Sequence, residues 1–199
     1  MRGVEQIPPV YDGVVGPLNR FLIGKWRREL VAPLSGAVLE LGVGTGLNLH
    51  YYGSAARVTG IEPERAVIPV ARMRAARRGY HLVVADAQAL PFKMASFDAA
   101  VSTLVFCSLP DPARVLDELR QVLRPGSKLL QLEHTRTGRP RGDVVLDQWA
   151  PAWHRSSGGC HINRDVAAIL AASGWQIERH VLHAGGLLRI LVSSPPRSS

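Results

Sequence analysis

The chain has 199 residues, 46% hydrophobic and 20% charged, the balance of one soluble globular domain with a sizeable core. Its net charge of +8 admits a nucleic acid, an anionic surface or an anionic substrate as partner. The arginines are dispersed, however, without the interleaved aromatics of a strand-binding surface, so no nucleic-acid partner is expected. No apolar run reaches the roughly 18 residues of a membrane span, and the start lacks a signal-peptide core. Two cysteines, Cys107 and Cys160, make neither a disulfide framework nor a zinc-site spacing. The expectation is a cytoplasmic protein with free thiols and no metal.

Pro8, Pro9 and Gly13 make residues 1–13 an extended lead-in. Over 14–30 the residues Leu18, Phe21, Leu22, Trp26 and Leu30 recur at helical spacing among Arg20, Lys25, Arg27 and Arg28. That pattern predicts a helix laid on a sheet or across a cleft, or else an interfacial helix on an anionic membrane. The apolar run 38–41 predicts a buried strand that stops at Gly42, Gly44 and Gly46; a helical segment and a second strand, 58–61, follow. A basic-faced helix over 63–78, capped by Gly79, leads to a strand over 80–85 that ends at Asp86-Ala87. A fourth strand, 99–104, precedes a helix over 111–123 with Pro112 in its first turn. Arg124-Pro125-Gly126 stops that helix, and 128–133 is the fifth strand. Beyond it come a helix over 143–154 interrupted at Pro151, a loop at 156–159, and a helix over 164–173 capped by Asn163. A strand pair, 175–182 and 187–192, turns at Gly185-Gly186, and 195–199 is a mobile tail. Strands alternating with helices predict an α/β fold with a mostly parallel sheet and helices on both faces. The organisation is one domain, 1–199, with an amino-terminal lid over 1–32 and the core over 33–194.

The segment 37–62, AVLELGVGTGLNLHYYGSAARVTGIE, organises the rest. Glycines at a strand end let the backbone turn tightly and approach a ligand, and a following helix would point free N–H groups at it. Glu62 lies about 20 residues past Gly42 at the tip of the next strand. That is where nucleoside-binding α/β units keep the acid that accepts from ribose hydroxyls. The spacing is G-x-G-x-G with Leu47 next, which disfavours NAD and FAD.

Glu40, Gly42, Gly44 and Gly46 resemble motif I, E/D-x-G-x-G-x-G, of class I S-adenosylmethionine (SAM)-dependent methyltransferases. The stretch TLVFCSLPDPARVLDELRQVLRPGSKLLQLEH resembles motifs IV to VI of the ubiquinone-biosynthesis-type (methyltransferase type 11) enzymes. It is most similar to the methyltransferase-like thiol S-methyltransferases, which combine TLV-x-CS with LEH. The phrase PAWHRSSGGCHINRD is similar to that subgroup's P-x-W…G-x-GC…R segment, and YDGVVGPLNR resembles its lid; the similarity spans residues 10 to 175. Two departures stand out. No hydrophobic anchoring amino terminus like that of the animal members is expected, and position 62 is Glu where many members carry Asp.

The resemblance implies a Rossmann-like doubly wound sheet of seven strands, mostly parallel with an antiparallel terminal strand. It implies SAM as cofactor, released as S-adenosyl-L-homocysteine. Glu40, Gly42, Gly44, Gly46 and Asn48 would then approach the methionine part, and Glu62 the ribose hydroxyls. Asp86 and Ala87 would take the adenine, Pro63 and Leu90 would line its slot, and the carbonyls of Thr103 and Leu104 would support the ammonium. Carboxylates suit hydroxyl and amino donors, and a flat ring suits an apolar slot. In-line displacement at a sulfonium depends on alignment rather than on a covalent nucleophile. His134, at the fifth strand's end, is the candidate base, with a loop-holding structural role as the alternative. Tyr11, Phe106, Cys107, Trp149, Trp153, His154 and Cys160 are candidates for the acceptor pocket, with His161 beside them; core packing is the alternative for the tryptophans and cysteines. The predicted reaction moves a methyl group to a small, fairly apolar acceptor, a thiol first. A phospholipid amine or quinone-like acceptor reached by peripheral membrane contact is the second reading, and a non-catalytic SAM-binding module the third.

Overall fold

The computed structural model describes residues 16–196, with side chains from residue 21 onward. Seven strands form one sheet: β1 (Gly36–Leu41), β2 (Ala56–Ile61), β3 (His81–Val83), β4 (Phe97–Thr103), β5 (Leu123–His134), β6 (Gln176–His183) and β7 (Leu188–Ser194). Their order is β3-β2-β1-β4-β5-β7-β6. β1 to β5 pair in parallel, while β7 runs antiparallel to both of its neighbours. This is the expected doubly wound sheet with its antiparallel strand. The chain leaves β1 toward β2 and β3, then returns to lay β4 on β1's other side. Ligands of such sheets bind in the crevice at this reversal, beyond the strand C-termini.

Alternation along β1 sends Leu39 and Leu41 to one face and Val38 and Glu40 to the other. On the first face they meet α3 (Pro112–Val122), through Val115, Leu116, Leu119 and Val122, and α5 (Val166–Ala172), through Val166 and Leu170. On the second, Val38 packs with Ile23, Leu30 and Val31 of α1 (Gly16–Val31) and Ala71 and Ala75 of α2 (Ile68–Ala76). Apolar residues three and four apart give α3 a buried stripe, and Asp111 caps it by accepting from the Arg114 N–H at 3.0 Å. α4 (Pro140–Ser156) buries Leu146 and Ala150.

Several local expectations are corrected. α1 is rotated: of the expected stripe Leu30 is buried, but Ile23, Arg27 and Val31 are buried beside it, whereas Phe21 and Leu22 stand 86% and 53% exposed. No helix follows the glycines. Gly46, Leu49 and Tyr51 donate to Val43, Gly46 and Asn48, three residues back, and Gly42, Gly44 and Gly46 hold φ of 56°, 54° and 86°. These left-handed residues wind the segment into successive turns instead of a helix. α2 accordingly starts at Ile68, after the turns that follow β2. Arg124-Pro125-Gly126 does not separate helix from strand; β5 begins at Leu123, and pairing jumps from Phe97–Leu123 to Ala99–Lys128 across a bulge. Pro151 lies inside α4 without ending it, since the missing N–H deletes one rung and Ser157 still donates to Trp153 at 2.8 Å. Asp165, not Asn163, caps α5 by accepting from Ala168 N–H at 3.0 Å. Asn163 donates instead to Asp147 at 2.8 Å.

Candidate functional site

A cavity of about 510 Å³ opens at the tips of β1, β2 and β4, within the range of small-molecule and cofactor sites. Its floor is the glycine turn. A Cβ on Gly42 would sit 2.6 Å from Val105 Cγ2, so this glycine lets the turn nest against the segment after β4. A Cβ on Gly44 would meet nothing closer than 4.0 Å, and Gly44 lines the cavity. Gly46 does not line it; its Cβ would strike Leu49 at 2.8 Å, so this position serves local packing.

Behind the turn runs a buried polar chain. Arg27 of α1 donates to Asn48 Oδ1 at 2.8 Å, and Asn48 Nδ2 donates to Glu40 Oε1 and to Thr103 Oγ1, each at 3.0 Å. Glu40 is almost fully buried; among the described residues its Oε2 meets no donor within strict hydrogen-bond geometry, and the Tyr52 hydroxyl is its nearest polar neighbour in electrostatic effect. Burial pushes the Glu40 carboxyl up to about 7, against the opposing pull of Tyr52, Asn48 and Arg27. A buried polar atom without a partner is uncommon, and a carboxylate oxygen in a cavity wall suits an ammonium donor.

At the tip of β2, Glu62 accepts from Gly44 N–H and from Glu64 N–H, each at 3.0 Å. Its carboxyl is raised, chiefly by burial and in spite of those two bonds. Each oxygen takes one backbone donor, which leaves lone pairs for hydroxyls in the cavity. Asp86 stands exposed at the rim, accepting from Gln88 N–H at 2.9 Å, and Ala87 and Pro63 line the space beside it. Leu90 stands apart: its side chain is in the core and its N–H donates to Glu118 at 2.8 Å. Thr103 enters through its hydroxyl, held by Asn48. Leu104 lines the cavity with φ of 59°, a strained position for a branched residue, and such strain clusters at functional sites.

The segment after β4 is pinned from two sides. Glu133 of β5, fully buried, accepts from Ser102 Oγ, from Val105 N–H at 3.1 Å and from Cys107 N–H at 3.4 Å. Burial raises its carboxyl. Arg164 donates to the carbonyls of Phe106 and Leu109, both at 2.6 Å.

The acceptor-side candidates separate. Phe106 is buried in the core with α3 and α5 and does not line this cavity. Trp149 is 65% exposed on α4, and Trp153 is 43% exposed, its ring edge-on to His134 at 6.3 Å. His154 lies against His161 at 4.3 Å between ring centres. Tyr11 falls outside the described residues. His134 is half-buried and outside the cavity lining, with Nδ1 3.5 Å from Cys160 Sγ and 4.0 Å from Cys107 Sγ. The two cysteines are unbridged. Hydrogen bonding with Cys107, reinforced by His134, draws the Cys160 thiol down, while the same contact and burial push Cys107 up.

Arg27, Val67, Gln88, Leu109 and Gly158 line the cavity as well, and sequence reasoning missed them. For Arg27 a signal existed: Ile23, Arg27 and Leu30 fall at helical spacing on one face.

Residues 39–131 match the methyltransferase domain family model. The human thiol S-methyltransferase TMT1B is 31% identical over 79% of this chain and 70% of its own length. The 2-phytyl-1,4-naphtoquinone methyltransferase of Synechococcus elongatus is 30% identical over 94% of this chain and 93% of its own. Among solved structures, a chain in the complex between the Haloferax volcanii Trm112 methyltransferase activator and a methyltransferase superposes with a TM-score of 0.77. It is 16% identical and covers 99% of this chain and 100% of its own length. Among the described residues no helix is long and apolar enough to cross a membrane. A glycine turn and acids on successive strand tips of a doubly wound sheet thus coincide with the matched region, and the chain belongs to the SAM-dependent methyltransferases.

Proposed function

We propose that the protein moves a methyl group from SAM to a small, fairly apolar acceptor, a thiol in the first instance. The observation that carries this reading is the composition of the cavity. Glu40, Glu62 and Asp86 supply acceptors along one side. The wall from residues 104–110 and Gly158 carries no charge and only one hydroxyl, that of Ser108. When bound, SAM supplies an electrophilic methyl carbon on a sulfonium.

The chain's own residues bind, orient and exclude water. The Glu40 carboxylate takes the ammonium; Glu62 takes the ribose hydroxyls while holding Gly44; Asp86 and the Ala87 backbone take the adenine edge. Glu133 and Arg164 fix the segment that carries Val105 and Leu109, so the acceptor meets a preset wall and alignment supplies much of the rate.

Incubation of purified protein with SAM and a panel of alkyl and aryl thiols, phenols and amines tests the reading. Formation of S-adenosylhomocysteine with thiols supports it, and none with any acceptor ends it, leaving a SAM-binding module. A second reading, a quinone-like or phospholipid acceptor, draws support from exposed apolar residues on two helices: Phe21 and Leu22 on α1, and Val144, Val145 and Trp149 on α4. An apolar face beside basic residues suits an anionic interface. Co-sedimentation with anionic liposomes at low salt tests it, because salt screens such contacts; protein left in the supernatant excludes a membrane-borne acceptor.

A further inference from the structure

Cys107 follows β4, His134 ends β5 and Cys160 lies in the loop after α4, and the fold brings their donor atoms within 4.8 Å of one another. We infer that these three side chains form a binding site for a single thiophilic d10 cation, zinc in the first instance, beside the methyl-transfer cavity. The inference does not rest on the identity of the acceptor, and no step of methyl transfer is routed through it.

The geometry matches what zinc demands. Bonds of about 2.3 Å to sulfur and about 2.0–2.1 Å to nitrogen, set tetrahedrally, place a sulfur and a nitrogen ligand about 3.6 Å apart. The two sulfur-to-Nδ1 distances here, 3.5 and 4.0 Å, bracket that value. Small side-chain adjustments close the difference. Among the described residues His134 Nδ1 faces only these sulfurs, which are weak hydrogen-bond partners, so the arrangement offers the imidazole little without an ion.

The ligands are also fixed through their backbones, as preorganised sites require. Cys107 donates its N–H to Glu133 at 3.4 Å and accepts at its carbonyl from His161 N–H at 2.7 Å. Cys160 N–H donates to Ser157 Oγ at 3.2 Å. His134 is in register with Leu188 of β7. Two thiolates and a neutral imidazole cancel the charge of a dication, which removes most of the cost of burying it. Three protein ligands leave a fourth position for water or another ligand, the pattern of open rather than closed zinc sites. Ser108 and Gly158, close in sequence to the two cysteines, line the cavity. Local spacing conceals the site, since its members stand 26 and 27 residues apart.

The test is a cobalt titration of the full chain with its thiols kept reduced, followed by zinc competition. The expected result is one cobalt per chain, a near-ultraviolet thiolate-to-cobalt charge-transfer band, the intense visible bands of four-coordination, and loss of both on adding one equivalent of zinc. Cys107→Ser and Cys160→Ser each halve the charge-transfer band, and the double substitution removes it. His134→Ala changes the visible bands. Wild-type protein that leaves cobalt six-coordinate overturns the inference without any variant, and so does a band that survives in a folded double variant. Because the readout is spectroscopic, a protein that binds cobalt but methylates nothing separates failure of the proposed reaction from failure of this site.

Discussion

Replacing Glu40 with Gln isolates the cost of burying a carboxylate in the cavity wall. Glu40 rises from the ordinary 4.5 to about 7. Between those values the folded protein holds a proton that the unfolded chain has released. Stability therefore falls as pH rises through this window, and the loss is complete above about 7. At roughly 1.36 kcal/mol per pH unit, the rise from 4.5 to 7 amounts to about 3 kcal/mol. Gln keeps the oxygen that accepts from Asn48 Nδ2 and puts an uncharged amide where Oε2 stood, beside the Tyr52 hydroxyl, so the variant carries no charge-burial penalty. Urea denaturation of both proteins should show little difference at pH 5 and up to about 3 kcal/mol in favour of Glu40→Gln at pH 8. For a domain of this size that is about 6–12 °C in Tm. The same substitution should weaken SAM binding, since the ammonium loses its carboxylate. An identical stability difference at pH 5 and pH 8 would refute the reasoning, because no proton would then be changing hands at Glu40.

The two cavity glycines should part company: Gly42→Ala drives a Cβ into Val105 at 2.6 Å and should cost about 2–4 kcal/mol by thermal denaturation. Gly44→Ala meets no neighbour within contact, so it should cost only about 1 kcal/mol for its left-handed backbone while reducing SAM affinity by calorimetry. Glu62→Gln removes a charged acceptor that holds Gly44 and faces the cavity; a loss of about 1.5–3 kcal/mol predicts SAM binding weaker by about tenfold to 150-fold in the same assay. Arg164→Met leaves the carbonyls of Phe106 and Leu109 without their donor and should lower stability by about 2–3 kcal/mol, with acceptor KM rising more than SAM affinity falls.

The site's cofactor side was legible because its residues sit at strand tips, and a strand tip is where an apolar run meets glycine or acid. Glu40, Glu62 and Asp86 all lie at such junctions, and all three line the cavity. What escaped depended on a helix's rotation or on tertiary convergence. Of the apolar stripe Leu18, Phe21, Leu22, Trp26 and Leu30, the sheet takes Leu30 and part of Trp26 but not Phe21 or Leu22, accepting instead the face with Ile23, and that carries Arg27 onto Asn48. The absent helix after the glycines follows from left-handed residues, whose φ the sequence permits but does not dictate. Phe106, an expected pocket residue, is sent into the core by the turn after β4. Cys107, His134 and Cys160 come from three elements, and only the parallel packing of β4 on β5 and the return of α4 bring them together.

The position of β7 bears on the order in which the molecule can be built. It is the last strand in the chain, yet it lies inside the sheet, between β5 and β6. A ribosome delivers β6 first, and β6 has no partner until residues 188–194 emerge and slide in between. Until then β5 is an open edge, with the backbone of Glu133 and His134 unpaired on that side. An uncovered edge invites pairing with another chain, and the hazard lasts for as long as synthesis takes to reach it. Glu133 anchors the segment after β4, so the acceptor wall takes its final shape only when that insertion is done.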